Sequence, residues 1–152
     1  MPTSARADEG IGPYNCKEKR GFMTAEMLAN LAKQAMDMAY APYSGYKVGA
    51  ALLCADGTVY TGCNIENAAF SPTICAERVA FAKAVSEGHR DFAAIAVCGG
   101  KDGVITGPFP PCGVCRQVMA EFCGPDFAVH LVTADGVETL PLEKLLPHSF
   151  GL

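Results

Sequence analysis

From Thr24 the apolar positions Met27, Leu28, Leu31, Ala35, Met38 and Ala39 recur at intervals of three and four, the period of one face of an α-helix. Thr24 can cap this helix, and Pro42 stops it, because the residue before a proline disfavours helical backbone. Tyr46–Cys54 then reads as a strand, Asp56-Gly57 as a tight turn, and Thr58 to about Ile65 as its hairpin partner. A loop through Pro72 leads to a helix from about Cys75 to Glu87, ended by Gly88. Phe92–Cys98 is almost wholly apolar, which predicts a strand covered on both faces. Residues 99–111 hold four glycines and three prolines and read as a loop. A helix from Cys112 to about Phe122, a strand Phe127–Thr133, a turn at Ala134-Asp135-Gly136, a short strand Val137–Leu140 and a helical turn Leu142–Leu146 complete the pattern. The order αββαβαββα predicts the α/β class: a three-layer α/β/α sandwich around a mixed central sheet.

Composition narrows what such a fold can do. At 152 residues the chain has the length of one domain. Residues 1–21 carry Pro, Gly, Ser and mixed charges without an apolar run, so they read as a flexible N-terminal extension preceding a single domain over 22–152. That stretch lacks the apolar core of roughly 7–15 residues that a secretory signal needs, and nothing approaches a span of about 18 apolar residues. The expectation is a soluble, cytoplasmic protein with no membrane partner. The net charge is −4, with 12 Lys and Arg scattered along the chain. A polyanion-binding protein concentrates its basic residues on one face, so nucleic acid is an unfavoured partner and a small, weakly charged ligand fits better.

The 8 cysteines change the picture more. In a cytoplasmic chain, cysteine clusters point to metal or catalysis rather than to disulfides. Cys54, Cys63 and Cys98 lie in apolar strands, where a free cysteine packs as a small hydrophobe; Cys16, in the extension, has no evident role. The remaining clusters are Cys75-Ala76-Glu77 and Pro111-Cys112-Gly113-Val114-Cys115. Both fall at predicted helix starts, where the helix dipole favours thiolate. Cys112 and Cys115, three apart, share a helix face, and Cys75 can complete a three-thiolate site if the two helix starts converge. Three protein ligands leave a fourth zinc position open, the pattern of a catalytic rather than a structural site. Glu77 can then move a proton between metal-bound water and a substrate, while the Arg78 guanidinium can donate to the thiolates and offset their charge. Ordinary alternatives exist for each fragment: a fold-stapling zinc with Cys98 or Cys123 as fourth ligand, or Glu77 as a first-turn acid balancing the helix dipole.

Together the fragments match the nucleobase-deaminase signature H-x-E…P-C-x-x-C in the form with Cys in place of His. The segments Ala41–Leu52, Gly62–Asn67, Ile74–Arg78, Lys83–Gly88 and Leu145–Gly151 extend the match. The chain resembles the small homotetrameric, zinc-dependent cytidine deaminases from about Thr24 to its C-terminus. The resemblance implies one zinc per chain held by Cys75, Cys112 and Cys115, Glu77 as the catalytic proton shuttle, and Arg78 bonded to the zinc thiolates. It also implies hydrolysis of free cytidine or deoxycytidine to uridine or deoxyuridine and ammonia, a pyrimidine-salvage reaction. Asn64 and Glu66 would bind the ribose 3′-hydroxyl. Tyr46 stands where relatives place a Phe against the base, and Phe150 resembles a C-terminal aromatic that closes a site across a subunit boundary. Phe70 lacks the hydroxyl that relatives with Tyr extend to a neighbouring subunit's ligand. A homotetramer with shared sites is the assembly so implied. Deamination of another nucleoside-like substrate of the blasticidin S type, or a non-catalytic structural zinc module, are the competing functions; the Asn64/Glu66 pair favours plain ribose over the first.

Overall fold

The computed structural model describes Tyr14–Asn15 and residues 22–152. Its elements are β1 (Tyr14–Asn15), α1 (Ala25–Met36), β2 (Tyr46–Cys54), β3 (Thr58–Cys63), α2 (Ala76–Ser86), β4 (Phe92–Lys101), α3 (Gly113–Phe122), β5 (Ala128–Thr133), β6 (Gly136–Pro141) and α4 (Leu142–Leu145). The strands form one sheet in the order β1-β3-β2-β4-β5-β6. All pairings are antiparallel except β4 with β5; α3 supplies the crossover that a parallel pair requires. The mixed α/β sandwich expected from the pattern is present.

Side chains alternate across the strands and so divide the core in two. Val48, Ala50, Leu52 and Cys54 of β2, with Ile95 and Val97 of β4, pack against Ala80 and Phe81 of α2 and Met119 of α3. Ala51, Ala94, Ala96 and Cys98 face Leu28, Ala32 and Met36 of α1. Phe81, Phe92 and Phe122 meet with ring centroids 5.0, 6.0 and 6.1 Å apart and lock α2 and α3 onto β4. Two glycines set how closely the helices approach. A Cβ on Gly49 would strike the α1 backbone at Ala32 and Met36, and one on Gly62 would strike the α2 backbone at Ala76 and Ala80. The absence of a side chain at Gly62 therefore lets the first turn of α2, which carries Glu77, lie flat on β3.

The boundaries differ from the pattern in four places. α1 ends at Met36, capped by Asp37, several residues before Pro42. β3 ends at Cys63, and Ile65 makes only isolated bridges to Tyr40 and Ile74. β4 continues through Gly99 and Gly100 to Lys101, paired with Val48, Lys47 and Tyr46; these residues were expected in a loop. The glycines are in the strand because neighbours crowd its faces: a Cβ on Gly99 would meet the Phe109 ring, and one on Gly100 the Val104 carbonyl. Finally, Tyr14–Asn15 pairs with Val59 and Thr58 at the sheet edge, a strand that the apolar pattern does not contain. The rest of the 1–21 extension, with Cys16, lies outside the described residues.

Candidate active site

Cys75 and Cys112, the expected helix starts, are the N-cap residues of α2 and α3, whose helical turns begin one position later. Both have extended backbone, with φ/ψ of −77°/154° and −67°/168°, and neither side chain makes a capping hydrogen bond. An N-cap Ser or Asp would turn back onto the helix N–H groups; these thiols point elsewhere and meet one another. Cys75 Sγ lies 3.7 Å from Cys112 Sγ, which lies 3.6 Å from Cys115 Sγ, and all three sulfurs fall within 4.8 Å of each other. Thiolates about 2.3 Å from a tetrahedral zinc stand about 3.8 Å apart, so this triangle fits one such ion with little adjustment.

The charges around the sulfurs fit a cation as well. An Arg78 terminal nitrogen donates to Cys75 Sγ at 3.6 Å, and its Nε is buried without a partner, a further donor beside a centre whose three thiolates would outweigh a divalent ion. Without metal the thiols divide their protons unequally. Hydrogen bonds from Cys115 and then Arg78 draw the Cys75 thiol well below its ordinary range. The bond it gives to Cys75, with burial, pushes Cys115 far up.

Glu77 is the one fully buried acid of the site, 3 % exposed, and its Oε2 accepts from Cys115 Sγ at 3.8 Å. Burial raises its carboxyl from 4.5 to about 7. A surface acid that merely balanced the α2 dipole would be solvated, so that alternative is excluded. Residue 77 sits two positions past the cap, where the first helical turn directs its side chain back along the helix, beside the sulfurs.

A zinc-binding region described as that of cytidine and deoxycytidylate deaminases matches residues 23–131. Cytidine deaminases of Sporosarcina psychrophila and Halalkalibacterium halodurans are 52 % and 50 % identical over 85 % and 84 % of this chain and 93 % and 95 % of theirs. The chain belongs to the cytidine and deoxycytidylate deaminase family. A crystal structure of cytidine deaminase from Burkholderia pseudomallei superposes with a TM-score of 0.77 at 46 % identity, covering 84 % of this chain and 100 % of that one. A Mycobacterium tuberculosis cytidine deaminase gives 0.70 at 40 % identity, over 83 % and 96 %.

Within this deaminase fold, Cys75, Cys112 and Cys115 form a group able to bind the family's zinc, one ion per chain. The other residues singled out by sequence form a second group on the start of β2. Asn64 Oδ1 accepts from Val48 N at 2.8 Å and its Nδ2 donates to Tyr46 O at 2.8 Å, so the amide clamps the strand around Tyr46. Glu66 Oε1 accepts from the backbone of Tyr43 and Ser44 at 2.9 and 3.1 Å; hydrogen bonds from Ser44 first, then Tyr43, hold its carboxylate below the ordinary range. Among the described residues none hydrogen-bonds Glu66 Oε2. The Tyr46 ring lies 6.1 Å from Phe109 and under the Lys101 ammonium at 5.4 Å. Phe150 and Phe70 are exposed, 69 % and 91 %.

Two residues that sequence reasoning passed over organise the centre. Arg116 donates from Nε to Pro111 O at 2.7 Å and from Nη1 to Leu145 O at 2.6 Å, tying the peptide before Cys112 to the end of α4. Gln117 Nε2 donates to Phe150 O at 3.2 Å. Their only signal was position, directly after Cys115. Outer partners of metal ligands contribute about 10–100-fold in metal affinity. Arg116→Met is therefore expected to speed zinc loss to a chelator by about tenfold or more, read by a colorimetric zinc indicator; an unchanged rate would show that the clamp does not hold the Cys112 loop.

Proposed function

We propose that this chain hydrolyses free cytidine and deoxycytidine to uridine and deoxyuridine with release of ammonia, in the course of pyrimidine salvage. The observation that carries this reading is the buried Glu77 carboxyl set against three convergent cysteine sulfurs. A structural zinc site has no use for such an acid, whose burial is costly unless chemistry requires it.

Cys75, Cys112 and Cys115 would hold zinc, whose Lewis acidity would make a water in the site a better acid near neutral pH. Glu77 takes the proton that water loses on attacking C4 and delivers it to N3 of the pyrimidine. It then carries the second water proton to the exocyclic nitrogen, which leaves as ammonia, and the carboxylate is regenerated. A carboxyl held near 7 by burial suits both directions of transfer. Arg78 stabilises the thiolates that hold the metal. Glu66, through Oε2, and Asn64, through its remaining amide valences, bind the ribose 3′-hydroxyl, and Tyr46 packs against the base. The zinc-loaded protein is expected to bleach the cytosine absorbance of both nucleosides and release one ammonia for each. Turnover of neither nucleoside, or of a blasticidin S-type substrate alone, would reject the assignment.

The active form is a homotetramer with shared sites, working in the cytoplasm on a free nucleoside. Among the described residues no helix is long and apolar enough to cross a membrane. Residues 22–152 form its one catalytic domain, preceded by an extension from which Tyr14–Asn15 joins the sheet edge. A nucleoside site buries most of its ligand, yet Tyr46 and Phe150 are 46 % and 69 % exposed in the single chain, which supports closure by a neighbour. Mixing Glu77→Gln subunits with Phe150→Ala subunits tests the sharing. Neither parent is expected to turn over well, and hybrids are expected to regain activity wherever an intact Glu77 meets an intact Phe150. Hybrids that form without recovery would mean that each site is closed by its own tail.

A further inference from the structure

At the far end of α2 from the cysteines is a second group of ligand-type side chains. Cys54 ends β2, Asp56 lies in the β2–β3 turn and His89 follows α2; their ligand atoms lie within 4.8 Å of one another. α2 has 11 residues, so at about 1.5 Å per residue this cluster stands about 16 Å along the helix from Cys75.

The hydrogen bonds around His89 do not close without a positive centre. The Tyr60 hydroxyl lies 2.7 Å from Glu87 Oε2 and 3.1 Å from His89 Nδ1. It has one proton, and a carboxylate has none to give, so the hydroxyl donates to Glu87 and its oxygen accepts from Nδ1–H. On a neutral ring Nε2 is then a bare lone pair, and it faces Asp56 Oδ2 at 3.1 Å. Two acceptors at that distance need a second proton or a cation between them. The local charge argues in the same direction: among the described residues neither Asp56 nor Glu87 has a lysine or arginine within ion-pair distance, the His89–Asp56 contact being the sole salt bridge.

We propose that Cys54, Asp56 and His89 form a second divalent-cation site, separate from the three-cysteine centre and suited to a borderline ion such as zinc. One sulfur, one imidazole nitrogen and one carboxylate are an ordinary zinc donor set. Metal-bound histidines donate their other ring N–H to an acceptor; the Tyr60 oxygen, backed by Glu87, is that acceptor. The Asp56 and His89 side chains are 45 % and 25 % exposed, which gives an ion a way in and leaves room for water as fourth ligand. An ion there joins the β2–β3 turn to the C-terminal end of α2 and stabilises the folded chain by mass action.

The test starts from protein carrying one zinc per chain and adds zinc in excess under a non-thiol reductant. The wild type is expected to take up a second equivalent, counted by native mass spectrometry, and its Tm to rise with free zinc. His89→Gln and Asp56→Asn are expected to keep the first zinc and deaminase turnover, to bind the second equivalent at least tenfold more weakly, and to lose the Tm response. With Co2+ as probe, Cys54→Ser is expected to lose the thiolate–metal absorption of the second ion; if that buried substitution prevents folding, the two more exposed variants decide. Uptake by the wild type that stops at one equivalent would overturn the site, leaving a protonated His89 paired with Asp56. So would a second equivalent bound equally well by His89→Gln.

Discussion

Glu77→Gln is expected to lower kcat by about 10²–10⁴-fold while leaving fold, zinc content and nucleoside binding close to wild type. The amide fills the same volume, so the Ala76–Ala80 turn keeps its seat on Gly62, and the three sulfurs that could hold zinc are untouched. What is lost is the proton inventory. A side-chain amide does not take a proton from water, and among the described residues no other carboxylate stands among the three sulfurs: Glu66 is engaged by Tyr43 and Ser44 at the start of β2. Because the missing interaction belongs to the transition state, kcat and kcat/KM should fall together with little change in KM. Glu77→Asp separates charge from reach. It retains an acid but shortens it by one methylene, and it should recover only part of the loss, since proton transfer needs hydrogen-bond distance. Retention of more than about a tenth of wild-type kcat by Glu77→Gln would remove Glu77 from the acid–base role.

The elements that a one-dimensional pattern renders well are those whose environment is uniform. β2 falls at Tyr46–Cys54 as expected, because alternate positions feed two packed faces and a turn with Gly57 closes it. β4 was shortened in the sequence reading because glycine is taken as a breaker, whereas Gly99 and Gly100 are in the strand for lack of room against Phe109 and Val104. That crowding comes from residues several positions away in the chain, and no local period encodes it. β1 escaped for a related reason: two residues joined to Val59 and Thr58 by edge pairing need no apolar alternation.

The metal centre was legible because its chemistry is concentrated in two short fragments with fixed spacing. Cys112 and Cys115 are brought together by one helical turn alone, and only Cys75 depends on the fold. Arg116 was not legible. Its two acceptors, Pro111 O and Leu145 O, are backbone carbonyls, which every residue has, so nothing at the partner positions marks the contact. The Cys54–Asp56–His89 cluster was missed because a cysteine in an apolar strand reads as core. Cys54 does pack in the core; its proximity to His89 arises only when α2 folds back along β3.

Removing zinc is expected to abolish turnover, and restoring it to recover turnover, with an affinity that falls as the pH is lowered. Each thiol must shed its proton to bind metal. Cys75 is poised to do so by its hydrogen bonds from Cys115 and Arg78. Cys115, held far up by its bond to Cys75 and by burial, keeps its proton at neutral pH until metal displaces it. Each proton displaced makes the apparent Kd about tenfold weaker per pH unit of acidification, and competition with a chelator at several pH values measures the slope. Cys115→Ser should remove the zinc altogether, since a buried hydroxyl is a poor ligand and stays protonated. Cys112, exposed at the α3 cap, has a water-accessible position, so Cys112→Ser should retain weak zinc binding through a substitute water and lose most of the activity. Equal and complete zinc retention in both variants, or full turnover by chelator-stripped protein, would show that these cysteines hold the fold and not the chemistry.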